Sequence, residues 1–179
     1  VLTVAITGMN AVPDNPGAGL AVARCLREAY GQRIRIVGLG YDALDPGLHR
    51  REYCDSAHLL SYPGSGTDAF FERLAEIQDI ERIDVLLPCL DAELPLLVNL
   101  APRLATLGIR SYLPGPEQLA RRAKDRLSDL AREGGAVGVH VVTGAGLRNT
   151  RFYARNGFRE VGQALSNGHP VVMLGRDLR

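Results

Sequence analysis

The sequence predicts an α/β fold: a parallel sheet flanked by helices, followed by a C-terminal β-α-β-hairpin segment. Three observations carry this. Short apolar, β-branched runs alternate with stretches whose apolar residues recur at helical spacing, the pattern of a sheet covered by helices on both faces. The first apolar run leads through a glycine-rich loop into a helix, as in a βαβ unit. After Gly134 and Gly135 the texture changes to a strand, a short helix and two strands joined by Asn167-Gly168, a tight-hairpin signal.

Taken in order, LTVAIT (2–7) ends at Gly8 and reads as a buried parallel strand. The loop GMNAVPDNPGAG follows, in which Asn15 and Pro16 make a suitable N-cap and first-turn pair. GLAVARCLREAY (19–30) sets Leu20, Ala23, Leu26 and Tyr30 along one helix face, and Gly31 stops it. RIRIVGLGYD (33–42) and AHLLSY (57–62) are strands, and TDAFFERLAEIQDIER (67–82) is a helix capped by Thr67 or Asp68. IDVLLPCL (83–90) is the most hydrophobic strand and is expected to be central. The helix over 92–108 holds Pro95 in its opening turn, whereas Pro102 is expected to kink or break it. A strand over 109–115 and a polar-faced helix over 116–133 follow. The tail gives GVHVVTG (138–144), a helix over 148–157, and strands over 158–166 and 170–178, which either extend the main sheet or form a small attached unit.

A chain of 179 residues accommodates one good-sized domain, or one domain plus an appendage. Twenty-one basic and twenty acidic residues give a net charge of +1, with Arg121, Arg122 and Lys124 as the one short basic cluster. Nucleic acid and membrane are therefore not expected as partners. Cys25, Cys54 and Cys89 are widely spaced without a CxxC, which points to free, mostly buried thiols in a reducing compartment. With no membrane-length apolar stretch and no signal-peptide pattern, the expected location is the cytoplasm.

A loop between a buried strand and a helix start presents unpaired N–H groups and the positive end of the helix dipole, which favour phosphate or carboxylate. Gly8, Gly17 and Gly19 would let such a ligand approach the backbone, or they simply turn the chain. The spacing is not GxGxxG, so a tight dinucleotide grip is not expected. Asp42, ending the second strand, stands where an acid can bind a ribose hydroxyl, or is a turn residue of DALDPG. Asp91 and Glu93 follow a strand's carboxyl end, where ligands sit in open α/β sheets; one of them could hold a substrate amine or magnesium, or Asp91 is only a helix N-cap. The four histidines lack metal-site spacing, so no metal site is expected; His140, on an apolar strand, reads as a core histidine. Ser65 in PGSG reads as a loop serine.

VAITGMNAVPDNPGAGLAVARCLREAYGQRIRIVGLGYDALDPGL, with ERIDVLLPCLDAELPLLVNLAPRLATLGIRSYLPGPEQLARRAKDRL, resembles the Rossmann-like N-terminal domain of ATP-grasp ligases. That group includes carbamoyl-phosphate synthetase and biotin carboxylase. The resemblance covers about 1–130; its most specific part is the strand with its P-x-x-D-x-E-L helix entry and the later Pro-then-Lys helix. It implies a domain that packs against ATP-binding lobes and helps frame a substrate site, with Lys124 at the position of the family's lysine. In the family the order is Asp then Lys, whereas Asp125 here follows the lysine. The ATP lobes would need more than a further domain of sequence. The resemblance thus implies a module, residues 1–133, that does not ligate alone.

GVHVVTGAGLRNTRFYARNGFREVGQALSNGHPVVMLGRDL, residues 134–179 broadly, is similar to the C-terminal third of GCN5-related N-acetyltransferases. The match is N-x-x-F-Y-x-x-x-G-F: Asn149, Phe152, Tyr153, Gly157 and Phe158, then a hairpin. The resemblance implies that Asn149 contacts acetyl-CoA and that Tyr153 protonates the leaving thiolate. The aromatics are equally the core of a helix-on-hairpin unit. The family's pyrophosphate loop, Q/R-x-x-G-x-G/A, is not found before the strand; Arg121 and Arg122 could meet phosphates as charges or lie on the surface.

The expected function is a nucleotide- or anion-binding module, non-catalytic alone, with Gly8, Asn15, Gly17, Gly19, Asp42, Lys124 and Asn149 as cofactor contacts and Asp91 and Glu93 as substrate contacts. ATP or another nucleotide is the expected ligand. The alternatives are an acetyl-CoA-dependent N-acetyltransferase with Tyr153 as catalytic residue, and a truncated or artificial fusion without evolved activity. An exposed strand edge in the tail would allow a homodimer.

Overall fold

The computed structural model describes residues 1–10, 17–121, 126–146 and 148–179, with the backbone alone for Arg121, Leu127 and Arg148. The chain forms two compact units, Val1–Pro116 and Glu117–Arg179.

In the first unit five strands, β1 (Leu2–Ile6), β2 (Ile34–Gly40), β3 (Ser56–Leu59), β4 (Val85–Leu87) and β5 (Arg110–Ser111), form one sheet in the order β3-β2-β1-β4-β5. Every pairing is parallel, for instance Val4 with Ile36 and Val4 with Val85. The apolar run at β4 is interior, but β1 is the middle strand. The helices are α1 (Gly19–Tyr30), α2 (Thr67–Glu81) and α3 (Leu94–Thr106).

Strand side chains alternate between faces, and the two cores follow that alternation. Val4, Ile6, Ile34 and Ile36 point to the face where Ala23 of α1 is buried, with Leu20 and Leu26 packed beside it. Ala5, Val37, Leu39 and Leu86 point to the other face, against Phe70, Leu74 and Ile77 of α2 and Leu97, Leu100 and Leu104 of α3. The i, i+3, i+4, i+7 spacing on α2 and α3 is what turns one stripe of each helix to the sheet.

Three helix details depart from the sequence pattern. α1 begins at Gly19 with Ala18, not Asn15, in the N-cap position. α2 is preceded by Gly66 at φ 107°, with no side-chain cap from Thr67 or Asp68. α3 runs unbroken through Pro102, because that residue lies on the exposed side while Leu97, Leu100 and Leu104 hold the opposite stripe against the sheet. The last turn of α2 is fastened to the sheet by a buried acid. Glu81 accepts from His58 Nε2 at 2.6 Å through Oε1, and its Oε2 faces the Arg35 guanidinium.

In the second unit α4 (Pro116–Arg121), which starts at the unit boundary, and α5 (Leu127–Glu133) precede β6 (Gly138–Gly144), α6 (Arg148–Arg155), β7 (Arg159–Ser166) and β8 (His169–Asp177). The three strands form a separate antiparallel sheet, β6-β8-β7. Asn167 and Gly168, at φ 52° and 79°, make the left-handed two-residue turn that the Asn-Gly pair predicts. Phe158, Val172 and Leu174 form its small core with Val139, Val141 and Tyr153. His140, expected in a core, is exposed: it alternates with Val139 and Val141 and so faces away from them.

Among the described glycines of the first unit, Gly17 and Gly19 are the most closely packed. A Cβ on Gly19 would lie 2.0 Å from the Thr7 carbonyl oxygen, and one on Gly17 2.2 Å from that of Gly8. Both obstacles are backbone, so neither can swing aside. Gly19→Ala is therefore expected to lose about 3 kcal/mol or more of unfolding free energy. Gly64→Ala, where the added carbon meets nothing within 4 Å, should stay within about 0.5 kcal/mol. Urea midpoints of the two variants against the parent check this.

Candidate functional site

In an open parallel sheet, ligands settle beyond the carboxyl ends of the strands where the strand order reverses. Here β1 connects outward to β2 and β3, while β4 and β5 lie on its other side, so the reversal falls between β1 and β4. The segments leaving these strands are Thr7-Gly8 after β1, Tyr41-Asp42 after β2 and Pro88 to Glu93 after β4.

Gly8 turns the chain at φ 71° and packs against Cys89, whose Cβ would be 3.0 Å from a Cβ at Gly8. The loop then folds back on the strand end. Gly19 N–H donates to the Gly8 carbonyl at 3.0 Å, and Gly17 N–H to Asn10 Oδ1 at 2.5 Å. These bonds set the start of α1 beside the end of β1. Ala18, in the N-cap position of α1, offers no side-chain cap, and the first turn of the helix contains no acidic residue.

Beside this loop lies a buried acid. Glu93, fully buried, accepts from the Thr7 hydroxyl at 2.5 Å on Oε2 and from the Tyr41 hydroxyl at 2.6 Å on Oε1. Thr7 Oγ1 in turn accepts from Cys89 N–H at 2.8 Å, so one hydroxyl links β1 to the segment after β4. Burial raises the Glu93 carboxyl above its ordinary range, against the lowering effect of bonds from Thr7, Tyr41 and the Leu90 backbone. Burial, and then the Glu93 charge, also raise the Tyr41 phenol. The same two causes push the Cys89 thiol up to about 11, so it stays protonated and a poor nucleophile at neutral pH. The Tyr41 ring stacks on Tyr62, with centroids 5.4 Å apart and planes at 21°.

Of the residues expected at a site, Gly8, Gly17 and Gly19 come together at the end of β1, with Glu93 close by through Thr7. Both Glu93 oxygens are engaged inside the protein. Asp91 is exposed and opens a single 3-10 turn, Asp91–Glu93, with Glu93 rather than Asp91 in the N-cap position of α3. Asp42 is exposed and folded into a turn, its Oδ1 accepting from Leu44 N–H at 2.9 Å. Asn15, Arg122 and Lys124 lie outside the described residues, as does the Arg121 side chain. In the second unit Asn149 is exposed, while Tyr153 is half-buried, edge-on to Phe152 at 5.3 Å and Phe158 at 5.4 Å. Thr7, Asn10, Tyr41 and Tyr62 were not singled out from the sequence. A threonine between a buried strand and a glycine was the available signal for Thr7; nothing in the spacing pairs Tyr41 with Tyr62.

No protein-family model matches the chain, and no curated protein matches it. Solved structures similar to it include the biotin carboxylase domain of a single-chain bacterial carboxylase, at 20% identity and a TM-score of 0.47, covering 90% of this chain and 36% of that one. The biotin carboxylase subunit of a pyruvate carboxylase is similar at 14% identity and a TM-score of 0.46, covering 96% of this chain and 37% of that one. A human methyltransferase 10 domain containing protein is similar at 11% identity and a TM-score of 0.39, covering all of this chain and 72% of that one. The chain spans about a third of the length of the two carboxylase structures. No helix among the described residues is long and apolar enough to cross a membrane.

The two buried acids have opposite pH signatures. Glu93, raised in the folded state, keeps its proton where the unfolded chain has lost it, so its contribution falls as pH rises from the unfolded value, about 4.3, to its folded value. For Glu81, burial is outweighed by bonds from His58 and Ser56 and by Arg35, and its pKa is lowered. Its contribution is present above the unfolded value and is lost as pH falls through the folded one. Glu93→Gln is expected to flatten the decline above pH 4.3, and Glu81→Gln the loss below it, in urea midpoints measured against pH. Glu93→Ala, which strands the Thr7 and Tyr41 hydroxyls, should cost about 2–4 kcal/mol at pH 7.

Proposed function

We propose that the chain is a nucleotide- or anion-binding module related to ATP-grasp ligases, without catalytic activity of its own. The observation that carries this is the setting of the α1 start. Gly17 and Gly19 bring a helix start with Ala18 in the N-cap position, and no acidic residue in its first turn, against the carboxyl end of the middle strand where the strand order reverses. Backbone N–H groups and the helix dipole favour a phosphate or carboxylate at such a place. The resemblance of residues 1–130 to the N-terminal domain of ATP-grasp ligases, a domain that helps frame a substrate site beside the ATP-binding lobes, supports a ligand at this edge.

The groups around the site suit binding better than turnover. The Cys89 thiol is held protonated, and the Glu93 oxygens are committed to Thr7 and Tyr41. Gly17 and Gly19 N–H are engaged by Asn10 Oδ1 and the Gly8 carbonyl, so an anion would be held by N–H groups beyond Gly19 in the first turn, with no general base among these residues facing it.

A thermal-shift titration with ATP-magnesium and, in parallel, acetyl-CoA tests the reading. ATP-magnesium at a hundred times its dissociation constant is expected to stabilise the folded chain by about 2.7 kcal/mol. Stabilisation by acetyl-CoA alone would move the ligand site to the second unit, and robust ATP hydrolysis by the purified chain would contradict a non-catalytic module.

A further inference from the structure

The chain holds two Asn-Gly pairs, Asn156-Gly157 after α6 and Asn167-Gly168 in the turn between β7 and β8, and their surroundings differ. The first pair is held at its side chain and at its peptide. Asn156 Nδ2 donates to the Phe152 carbonyl at 2.8 Å, and the Asn156 carbonyl accepts from Arg176 Nη1 at 2.9 Å. Gly157 N–H donates to the Ala154 carbonyl at 3.1 Å. The second pair is exposed at the hairpin tip, where neither the Asn167 side chain nor Gly168 N–H hydrogen-bonds to any of the described residues. A Cβ at Gly168 would meet nothing within 4 Å.

We propose that Asn167 is a deamidation site whose isoaspartyl product opens the tip of the β7–β8 hairpin, while the fold protects Asn156. The Gly168 nitrogen attacks Asn167 Cγ: the N–Cγ bond forms, the Cγ–Nδ2 bond breaks, and ammonia leaves with the Gly168 amide proton. Water then opens the cyclic imide. Opening at the side-chain carbonyl gives aspartate, and opening at the main-chain carbonyl gives isoaspartate, whose backbone runs through Cβ. Glycine has no side chain to block the attack, and with nothing packed on Gly168 the rotation that brings nitrogen to Cγ displaces no other group. At Asn156 the same rotation must first break the bonds to Phe152, Arg176 and Ala154.

The two products differ in the turn. Aspartate keeps the backbone, and Asp-Gly suits a turn whose central residues stand at φ 52° and 79°. Isoaspartate adds one backbone atom to a two-residue connection that sets Ser166 opposite His169 and Leu165 opposite Pro170. The disturbance reaches β6, because Ala145 N–H donates to the Pro170 carbonyl at 3.0 Å. Phe158, Val172 and Leu174 lie further along the strands, so the small core stays while the tip frays.

Incubation of the full chain at mildly alkaline pH, folded and in parallel unfolded in urea, tests this. Trypsin places Asn167 in the peptide 160–176 and Asn156 in 156–159, and mass spectrometry reads the one-dalton gain in each. In the folded chain the gain at Asn167 is expected to be at least about tenfold faster than at Asn156, and in urea the two rates should be comparable. Equal rates in the folded chain, or an Asn167 that changes only in urea, would overturn the site. Hydrogen exchange on the isoaspartyl form, separated by chromatography, and on Asn167→Asp tests the second step. Ala145 N–H is expected to exchange at least about tenfold faster in the isoaspartyl form and at the parent rate in Asn167→Asp. Parent-like exchange in the isoaspartyl form would overturn the opening of the hairpin and leave the modification site standing.

Discussion

The carboxylate of Glu93 is the joint on which the carboxyl edge of the first unit depends. It lies fully buried at the entry to α3 and accepts from Thr7 after β1 and from Tyr41 after β2. Three segments distant in sequence are thereby fixed by one group, and a third contact, Cys89 N–H to Thr7, closes the crossing from β4. A buried acid is costly without partners, and here two hydroxyl donors supply them. Hydroxyls stabilise a carboxylate without neutralising it, which is why burial still prevails and the carboxyl is raised.

Glu81 shows what changes when the donors are cationic. It is as deeply buried as Glu93 by surface, yet its carboxyl is lowered, because His58, Ser56 and Arg35 outweigh burial. The two acids lie at opposite ends of the parallel sheet: Glu81 ties the end of α2 to β2 and β3, and Glu93 ties the strands' carboxyl ends. The first is an anchor with charged partners and the second a neutral-donor joint beside the candidate site. The second is linked through Thr7 to Gly8 and through Tyr41 to Tyr62.

Much of the fold was legible in the sequence because its signals are local and agree with one another. Alternation in LTVAI and IRIVGLG sorts residues between two cores, and the helical spacing of Phe70, Leu74 and Ile77 fixes the face of α2. Asn167-Gly168 gives the hairpin turn from two residues alone. The less legible features are those decided by tertiary contacts. Pro102 does not break α3, since three buried leucines hold the helix in place. His140 lies on an apolar strand but on its open face, and strand parity becomes informative only once the core face is known. The Tyr41–Tyr62 stack and the Thr7–Glu93 bond join residues 21 and 86 positions apart in numbering, and no spacing rule reaches that far.

The glycine-rich loop shows why composition alone is a weak guide to ligand binding. Gly17 and Gly19 are demanded by carbonyl oxygens of the chain itself, about 2 Å from where their Cβ atoms would sit. Their presence is thus explained without any ligand. Packing does not by itself explain a helix start with Ala18 in the N-cap position and no acid in its first turn. An N-terminal turn at a strand-order reversal is stabilised most simply by a capping serine, threonine or aspartate, worth about 1 kcal/mol. Ala18 offers no such cap, and Gly19 N–H donates instead to the Gly8 carbonyl at 3.0 Å. The number of glycines in the loop thus reports on packing against the end of β1 before it reports on any ligand.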